Sequence, residues 1–396
     1  MKKRVMFYCQ HVVGMGHLIR SAEIVRALAA DGFDVTFLNG GEVADGIALP
    51  QTASVVNLPP IKSDVEFHEI HAAGGSNLEE IKEARSQSIL AEYDRLQPDA
   101  VVIEMFPFGR RKFAFELIPL LERIQADGRQ TKVVCSLRDI LVSKRDQARF
   151  DEQVCQMMNR YFDLLLVHAD PQFQRLEETF PRARELDCPI RYTGFVVQPV
   201  NSASRNEDGF IFGADIIVSI GGGRVGGELL DCAIAASDLL AETLPHRMRL
   251  FTGPYLPEDD FARLQAAAAN NPNIQLDRFT TDFPALLERA DLSISMAGYN
   301  TCMNLLTAGV PALVYPFTGN NNEEQSIRAS KLEALGVVSV IRDGELTAPK
   351  LAAKILQQIR QAATCHALDL NGAMKTAAII AELLGENARA AAGGER

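Results

Sequence analysis

Seven consecutive residues carry the plainest chemical signal in the chain. Gly221-Gly222-Gly223-Arg224-Val225-Gly226-Gly227 follows the apolar run from Asp215 to Ile220 and precedes a helix-patterned stretch from Glu228 to about Leu240. Bare backbone N–H groups, a helix N-terminus and a guanidinium together make a cradle for a diphosphate. A turn alone does not need so many glycines. Gly298 follows a second strand-length run, Asp291 to Met296, and opens a helical stretch that stops at Gly309. It too lets a backbone come close to a ligand at a helix start. A third turn, Gly14-Met-Gly16-His17, joins the strand-like segment Arg4 to Cys9 to a helix from Ala22 to about Ala30.

Charged groups at strand ends are the other candidates. Pro98 to Glu104 ends in a carboxylate; Lys132 to Leu137 is followed by Arg138 and Asp139, and Tyr161 to Val167 by His168 and Asp170. Successive strands thus deliver these groups to one edge, read as the acceptor side of a cleft, although solvated loop residues would give the same pattern. Between the first two lies Phe106-Pro-Phe-Gly109-Arg110-Arg111-Lys112-Phe113-Ala-Phe115. Cations interleaved with aromatics suit an anionic membrane or a phosphorylated acceptor. They suit equally a helix start with solvated arginines and core phenylalanines.

The elements that must position these residues alternate strand, turn and helix. Their strands are short, continuously apolar runs, the pattern of a parallel sheet buried on both faces, whose carboxyl-edge loops line the ligand crevice. A chain of 396 residues suggests two domains, and 47% hydrophobic residues supply ample core. The expected boundaries are a first domain over 1–198, a polar linker over 199–209, a second domain over 210–384 and a frayed tail over 385–396. Within the first domain, Pro59 to Asn77, with His68 and His71, reads either as a loop over a substrate or as a plain excursion.

Several classes are disfavoured. A net charge of −11 argues against nucleic acid as a partner. No apolar run is long enough to span a bilayer, and the basic head at Lys2-Lys3-Arg4 leads into a strand rather than an export signal. Seven scattered cysteines fit reduced thiols in a cytoplasmic protein. Gly14-x-Gly16 lacks the third glycine of a dinucleotide fingerprint, and no acid ends the run Asp34 to Leu38, so a nicotinamide dehydrogenase is disfavoured.

The order Gly298, Thr301, Ala308-Gly309, Pro311, Pro316-Phe317, Glu324-Gln325, Ala329 resembles the nucleotide-sugar half of GT-B glycosyltransferases, nearest to the MurG-type enzymes of family 28. The Gly221–Gly227 loop resembles that family's GGS-like loop, and Gly14-Met-Gly16-His17 its GxGH loop. His17-Leu-Ile-Arg20-Ser21 is similar to the matching loop of related nucleotide-sugar hydrolases. The resemblance runs from Val5 to about Leu384. It implies two Rossmann-like parallel-sheet α/β domains facing a central cleft. It also implies an inverting transferase, without metal or cofactor, that moves a sugar from a nucleotide diphosphate sugar to an acceptor hydroxyl. A UDP-sugar is the expected donor and a lipid-linked acceptor is one candidate. No DxD carboxylate pair ends a strand; Asp259-Asp260 lies before a helix.

Residue by residue, the resemblance gives Gly222, Gly223 and Arg224 the diphosphate, with Gly298 close by. Thr280 follows Phe279 where the family reads the nucleobase edge. Gln325, after Glu324, matches a sugar-contacting glutamine. His17 is the expected base, with Glu104 and Asp139 in reserve, and Gly16, Arg20, Arg110 and Arg138 fall on the acceptor side. Two positions depart from the pattern. Gln198 follows Phe195-Val-Val where the family often has an arginine, and Asn304 stands in place of a ribose-holding glutamate. The expected partners are the donor and an unidentified acceptor, with peripheral contact at the inner face of a membrane if that acceptor is lipid-linked. The alternatives are a hydrolase of the same fold, an epimerase, which would need a cleft crowded with acids, and a non-catalytic sugar-nucleotide-binding protein.

Overall fold

The computed structural model describes residues 2–11, 16–42, 50–63, 70–72, 77–200, 213–319, 323–361 and 366–385. Gly14, His68, most of the expected linker and the tail from 386 lie outside them. The described chain forms two compact units. The first holds residues up to 42, 50–196 and 368–385; the second holds 197–367.

In chain order the first unit runs β1 (Arg4–Cys9), α1 (Gly16–Ala30), β2 (Asp34–Asn39), β3 (Ser54–Asn57), β4 (Ile61–Ser63), β5 (Ile70–Ala72), α2 (Leu78–Leu96) and β6 (Ala100–Glu104). It continues α3 (Ala114–Ala126), β7 (Lys132–Arg138), α4 (Gln147–Tyr161), β8 (Leu164–His168) and β9 (Ile190–Tyr192). Seven of its strands make one parallel sheet in the order β3-β2-β1-β6-β7-β8-β9. The runs are apolar throughout because helices cover both faces: every residue of β6 and β8 is buried. The strand order reverses between β1 and β6, so the loops leaving these two strands diverge and leave a crevice at their carboxyl ends. In the stretch 59–77, where periodicity gave no sign of strands, β4 and β5 pair antiparallel.

The second unit runs β10 (Ala214–Ser219), α5 (Gly227–Leu240), β11 (His246–Phe251), α6 (Glu258–Ala268), β12 (Ile274–Asp277), α7 (Phe283–Arg289) and β13 (Leu292–Met296). It continues α8 (Tyr299–Ala308), β14 (Ala312–Tyr315), α9 (Glu324–Ala334), β15 (Ser339–Val340) and α10 (Ala348–Gln358). Its parallel sheet has the order β12-β11-β10-β13-β14-β15 and reverses between β10 and β13.

The last helix, α11 (Gly372–Leu383), packs on α1 and belongs to the first unit, although the expected boundary ran the second domain to 384. Its docking is specific. The Asp369 N–H donates to Asp170 Oδ2 at 2.9 Å, and a side chain on Gly372 would fall on the carbonyls of Gly194 and Phe195. Composition carries no trace of such a backbone fit. Three of the four aromatics of the basic segment are likewise structural, because Phe106, Phe108 and Phe113 are buried, while Phe115 is half-buried. That is the core-phenylalanine alternative, and it leaves those rings unavailable to a lipid surface.

Candidate functional site

At the first unit's crossover, His17 and Glu104 meet. His17 stands in the opening turn of α1, just after β1, and Glu104 is the last residue of the neighbouring β6. His17 Nδ1 lies 2.7 Å from Glu104 Oε1, with the imidazole 19% exposed and the carboxylate fully buried. Arg20, one helical turn further and almost fully buried, donates to the same oxygen. Burial alone would raise the Glu104 pKa; the charges of His17, Arg20 and Arg110 outweigh it and bring it to about 2. Burial pulls His17 down to about 3, more than Glu104 can restore. At neutral pH the pair is therefore an anionic carboxylate beside a neutral imidazole. The carboxylate selects the tautomer that carries the proton on Nδ1, so the Nε2 lone pair is left to accept a proton.

The other first-unit candidates sort by burial. Gly16 is the first residue of α1. Arg110 sits in the left-handed region, φ 56°, at the head of a short turn, and Arg138 closes β7. Asp139 is completely buried, a poor position from which to meet an acceptor. His168, also expected at this edge, serves the sheet: its two nitrogens lie 2.7 Å from Ser136 Oγ and 2.9 Å from Thr193 Oγ1. Asp170 binds the N–H groups of Gln172 and Asp369.

Sequence reasoning missed Arg85. This fully buried guanidinium on α2 binds Glu116 through Nε and Nη2, Gln10 Oε1 at 2.6 Å, and the carbonyls of Gly40 and Pro59 at 2.9 and 2.7 Å. It ties together the loops that leave β1, β2 and β3, and Tyr8 donates to Glu116 behind it. In the sequence it is one more arginine on a polar helix, and no spacing marks it.

In the second unit the loop after β10 and the start of α8 flank the crossover. The glycines there divide into two kinds. Gly223, at φ +89°, packs against backbone: a Cβ would fall on the Thr252 carbonyl and 2.9 Å from the Leu256 nitrogen. Its glycine is demanded by the fold. Gly222 has only Tyr255, 3.7 Å away, near its Cβ direction, and Gly298, with φ −65°, has nothing nearer than 4.0 Å. No contact among the described residues requires glycine at these two positions; Gly298 is the N-cap of α8, and Gly222 lies in the loop that leads to the N-terminus of α5, where an anion is favoured. Arg224 lies 5.1 Å from the Tyr255 ring centroid.

The remaining candidates surround that edge. Thr280 Oγ1 accepts from the Asp282 N–H at 3.1 Å. Asn304 is 5% exposed on α8. Gln325 Oε1 accepts from the Phe317 N–H at 3.1 Å, which fastens α9 to the end of β14. Glu324 holds Arg328 at 2.7 Å, and the buried Arg328 donates to the Ala297 carbonyl at 2.9 Å, directly before Gly298. Arg328 is a second residue the sequence reading missed; its signal was the i, i+4 spacing from Glu324.

Comparison with known proteins bears on the fold and the family. Residues 217–383 match the glycosyltransferase family 28 C-terminal domain. Among curated proteins, the UDP-N-acetylglucosamine--N-acetylmuramyl-(pentapeptide) pyrophosphoryl-undecaprenol N-acetylglucosamine transferase of Paramagnetospirillum magneticum is 31% identical over 167 residues, which cover 41% of this chain and 45% of that protein. The same enzyme from Agrobacterium fabrum is 26% identical over 41% of this chain and 44% of its own length. The match thus spans less than half of these relatives. Among solved structures, the calicheamicin glycosyltransferase CalG4 superposes over 98% of this chain and 99% of its own, with a TM-score of 0.61 at 16% identity. Acinetobacter baumannii MurG does so over 97% and 100%, with 0.56 at 16%. Arabidopsis thaliana UGT89C1, solved with UDP-L-rhamnose, does so over 98% and 99%, with 0.61 at 15%.

Proposed function

From a chain of GT-B fold whose residues 217–383 are a glycosyltransferase family 28 C-terminal domain, distantly homologous to the MurG-type enzymes, we propose a transferase. It moves a sugar from a nucleotide diphosphate sugar, a UDP-sugar foremost, to an acceptor hydroxyl with inversion. The observation that carries the chemistry is the His17–Glu104 pair, a neutral imidazole fixed by a buried carboxylate with Nε2 left to work. Nε2 takes the acceptor proton as the hydroxyl oxygen attacks the anomeric carbon, and the nucleoside diphosphate leaves with the bonding electrons. Glu104 stabilises the imidazolium as it forms, which makes it the partner of the base rather than the base. In the second unit, Gly222, Gly298 and the N-termini of α5 and α8 receive the diphosphate and its developing charge, with Arg224 beside them. Arg328 fixes the backbone at Ala297, and Asn304, Thr280 and Gln325 complete the donor side.

Incubation with a panel of nucleotide sugars, with and without candidate acceptors, tests this reading. Transfer that depends on acceptor, together with UDP binding, supports it. Release of free sugar at full rate without acceptor makes the protein a hydrolase, with water at Nε2. Binding without turnover across the panel makes it a non-catalytic sugar-nucleotide-binding protein.

A further inference from the structure

One buried cation brackets Gly298. Arg328, on α9, is fully buried. Its Nη1 donates at 2.9 Å to the carbonyl of Ala297, the residue before Gly298. Its guanidinium carbon lies 5.7 Å from the ring centroid of Tyr299, the residue after. Both neighbours are themselves buried. The peptide joining Ala297 to Gly298 is planar and trans, so its C=O and N–H point in opposite directions. A carbonyl pinned to Arg328 therefore turns the Gly298 N–H away from α9. Among the described residues that N–H meets no hydrogen-bond acceptor.

The placement of the charge is a second, independent observation. Gly298 is the N-cap of α8, and the start of a helix carries partial positive charge. A guanidinium set there opposes the helix dipole, whereas an anion gains from both. Glu324 meets Arg328 at 2.7 Å, but it stands in the first turn of α9, where a carboxylate already suits that helix's own dipole. The pairing alone does not account for the cation, since apolar residues of similar volume often serve a fold as well as a buried ion pair. Nor does the backbone call for glycine at 298, because φ −65° is open to any residue.

We propose that Arg328 is the positioning residue of the donor side: it aims the Gly298 N–H at the diphosphate and sets a fixed positive charge behind it. The proposal rests on the reading of the second unit as the nucleotide-sugar side, and it adds what selects the diphosphate from the rest of the nucleotide. Being buried, Arg328 acts through the Gly298 peptide and through its charge rather than by touching the ligand.

The experiment uses the full chain and titrates UDP, uridine and inorganic pyrophosphate by calorimetry at constant ionic strength. Wild type should hold UDP well above uridine. In Arg328→Gln, which keeps a donor but not the charge, UDP should weaken about tenfold or more while uridine is unchanged. Arg328→Lys, which keeps the charge with a different donor geometry, should recover part of that preference. A merely structural residue would move UDP and uridine together. Arg328→Gln leaves the Glu324 carboxylate without its guanidinium, so Glu324→Gln combined with Arg328→Gln is measured as well. It should lose the same preference for UDP, in a protein whose unchanged uridine affinity reports an intact fold. A wild-type preference for UDP in both variants overturns the proposal and leaves the donor reading standing. Pyrophosphate bound by wild type but not by Arg328→Gln, with no binding of UDP, upholds the proposal and removes uracil from the donor. A wild type that holds UDP no better than uridine and does not bind pyrophosphate removes both.

Discussion

The two units solve the same topological problem with different chemistry. Each is a parallel sheet whose strand order reverses once, between β1 and β6 in the first and between β10 and β13 in the second, and at that reversal stand His17 with Glu104 in the first and the loop of Gly222 with Gly298 in the second. In the first unit the crevice is filled with side chains: a buried carboxylate, a buried arginine and an imidazole in one hydrogen-bonded cluster. In the second it is lined by backbone, with open glycines at Gly222 and Gly298 and the starts of two helices. Proton transfer needs a titratable group with a set orientation, which side chains supply. Binding a diphosphate needs several N–H donors at short range, which bare backbone at a helix start supplies without a side chain in the way. The sharpest tests treat the two sides as separable.

The largest separation comes from His17→Ala. General-base contributions are about a hundredfold to ten-thousandfold, or about 3–5 kcal/mol of barrier, so turnover should fall by that factor. UDP affinity should stay at the wild-type value, because the proposed diphosphate site lies in the other unit. Turnover and UDP binding measured side by side on His17→Ala and Asp139→Ala check this. Near-normal turnover in His17→Ala with loss in Asp139→Ala would hand the role of base to the acid.

Acid should act on the first unit through its histidines. Burial lowers His11, His17 and His168, the last two to about 3. A group whose folded pKa lies below its unfolded value binds its proton more readily when unfolded, so the fold loses stability as pH drops through the unfolded pKa, near 6.5. Each of these histidines contributes a slope of up to about 1.4 kcal/mol per pH unit below that point. Glu104, depressed to about 2, adds its own loss only below the ordinary carboxylate range. Urea unfolding at pH 7, 6 and 5 should show falling stability, with a shallower slope in His168→Asn. Stability that is flat from pH 7 to 5 contradicts the burial assigned to these rings.

The backbone side is tested by two neighbouring glycines. Gly222→Val has room in the free protein and should fold normally yet bind UDP at least about tenfold more weakly, since the new side chain would stand where the diphosphate is proposed to approach. Gly223→Ala should instead destabilise the fold, because φ +89° and the Thr252 carbonyl both exclude a Cβ. Wild-type UDP affinity in Gly222→Val would remove the cradle from this loop.

What the sequence made legible follows the same divide. The strands, the crossover loops and the motif-borne residues were readable because buried parallel strands are continuous apolar runs and because glycine clusters at helix starts have few other uses. The position of His17 was readable, and Glu104 was named as a reserve base, but not as the partner of His17. Glu104 was one of several charged strand ends, and only the adjacency of β1 and β6, set by a long crossover, brings it to Nδ1. Arg85 and the clamp of Gly194 and Phe195 on Gly372 were invisible for a related reason: their partners are backbone carbonyls, which every residue possesses. Gly223 was legible as a glycine but not as to why, since only the packing against Thr252 separates it from Gly222.

The smallest expected effect concerns Asn304, which by the resemblance falls on the family's ribose-holding glutamate. It lies on α8, 5% exposed, within the unit proposed to bind the nucleotide. A neutral amide can bond a hydroxyl, but such a bond contributes about 0.5–1.5 kcal/mol, against about 1.5–3 kcal/mol when one partner is charged. Removing the ribose 2′-hydroxyl from the ligand should therefore cost only about two- to tenfold in affinity. Calorimetric titration of wild type with UDP and with 2′-deoxy-UDP measures that ratio, and Asn304→Ala should bring it close to one. A deoxy penalty of a hundredfold in wild type would require a charged partner for the ribose that is not Asn304. A ratio unchanged by Asn304→Ala would take the residue off the nucleotide altogether, while leaving the glycine cradle and its own test intact.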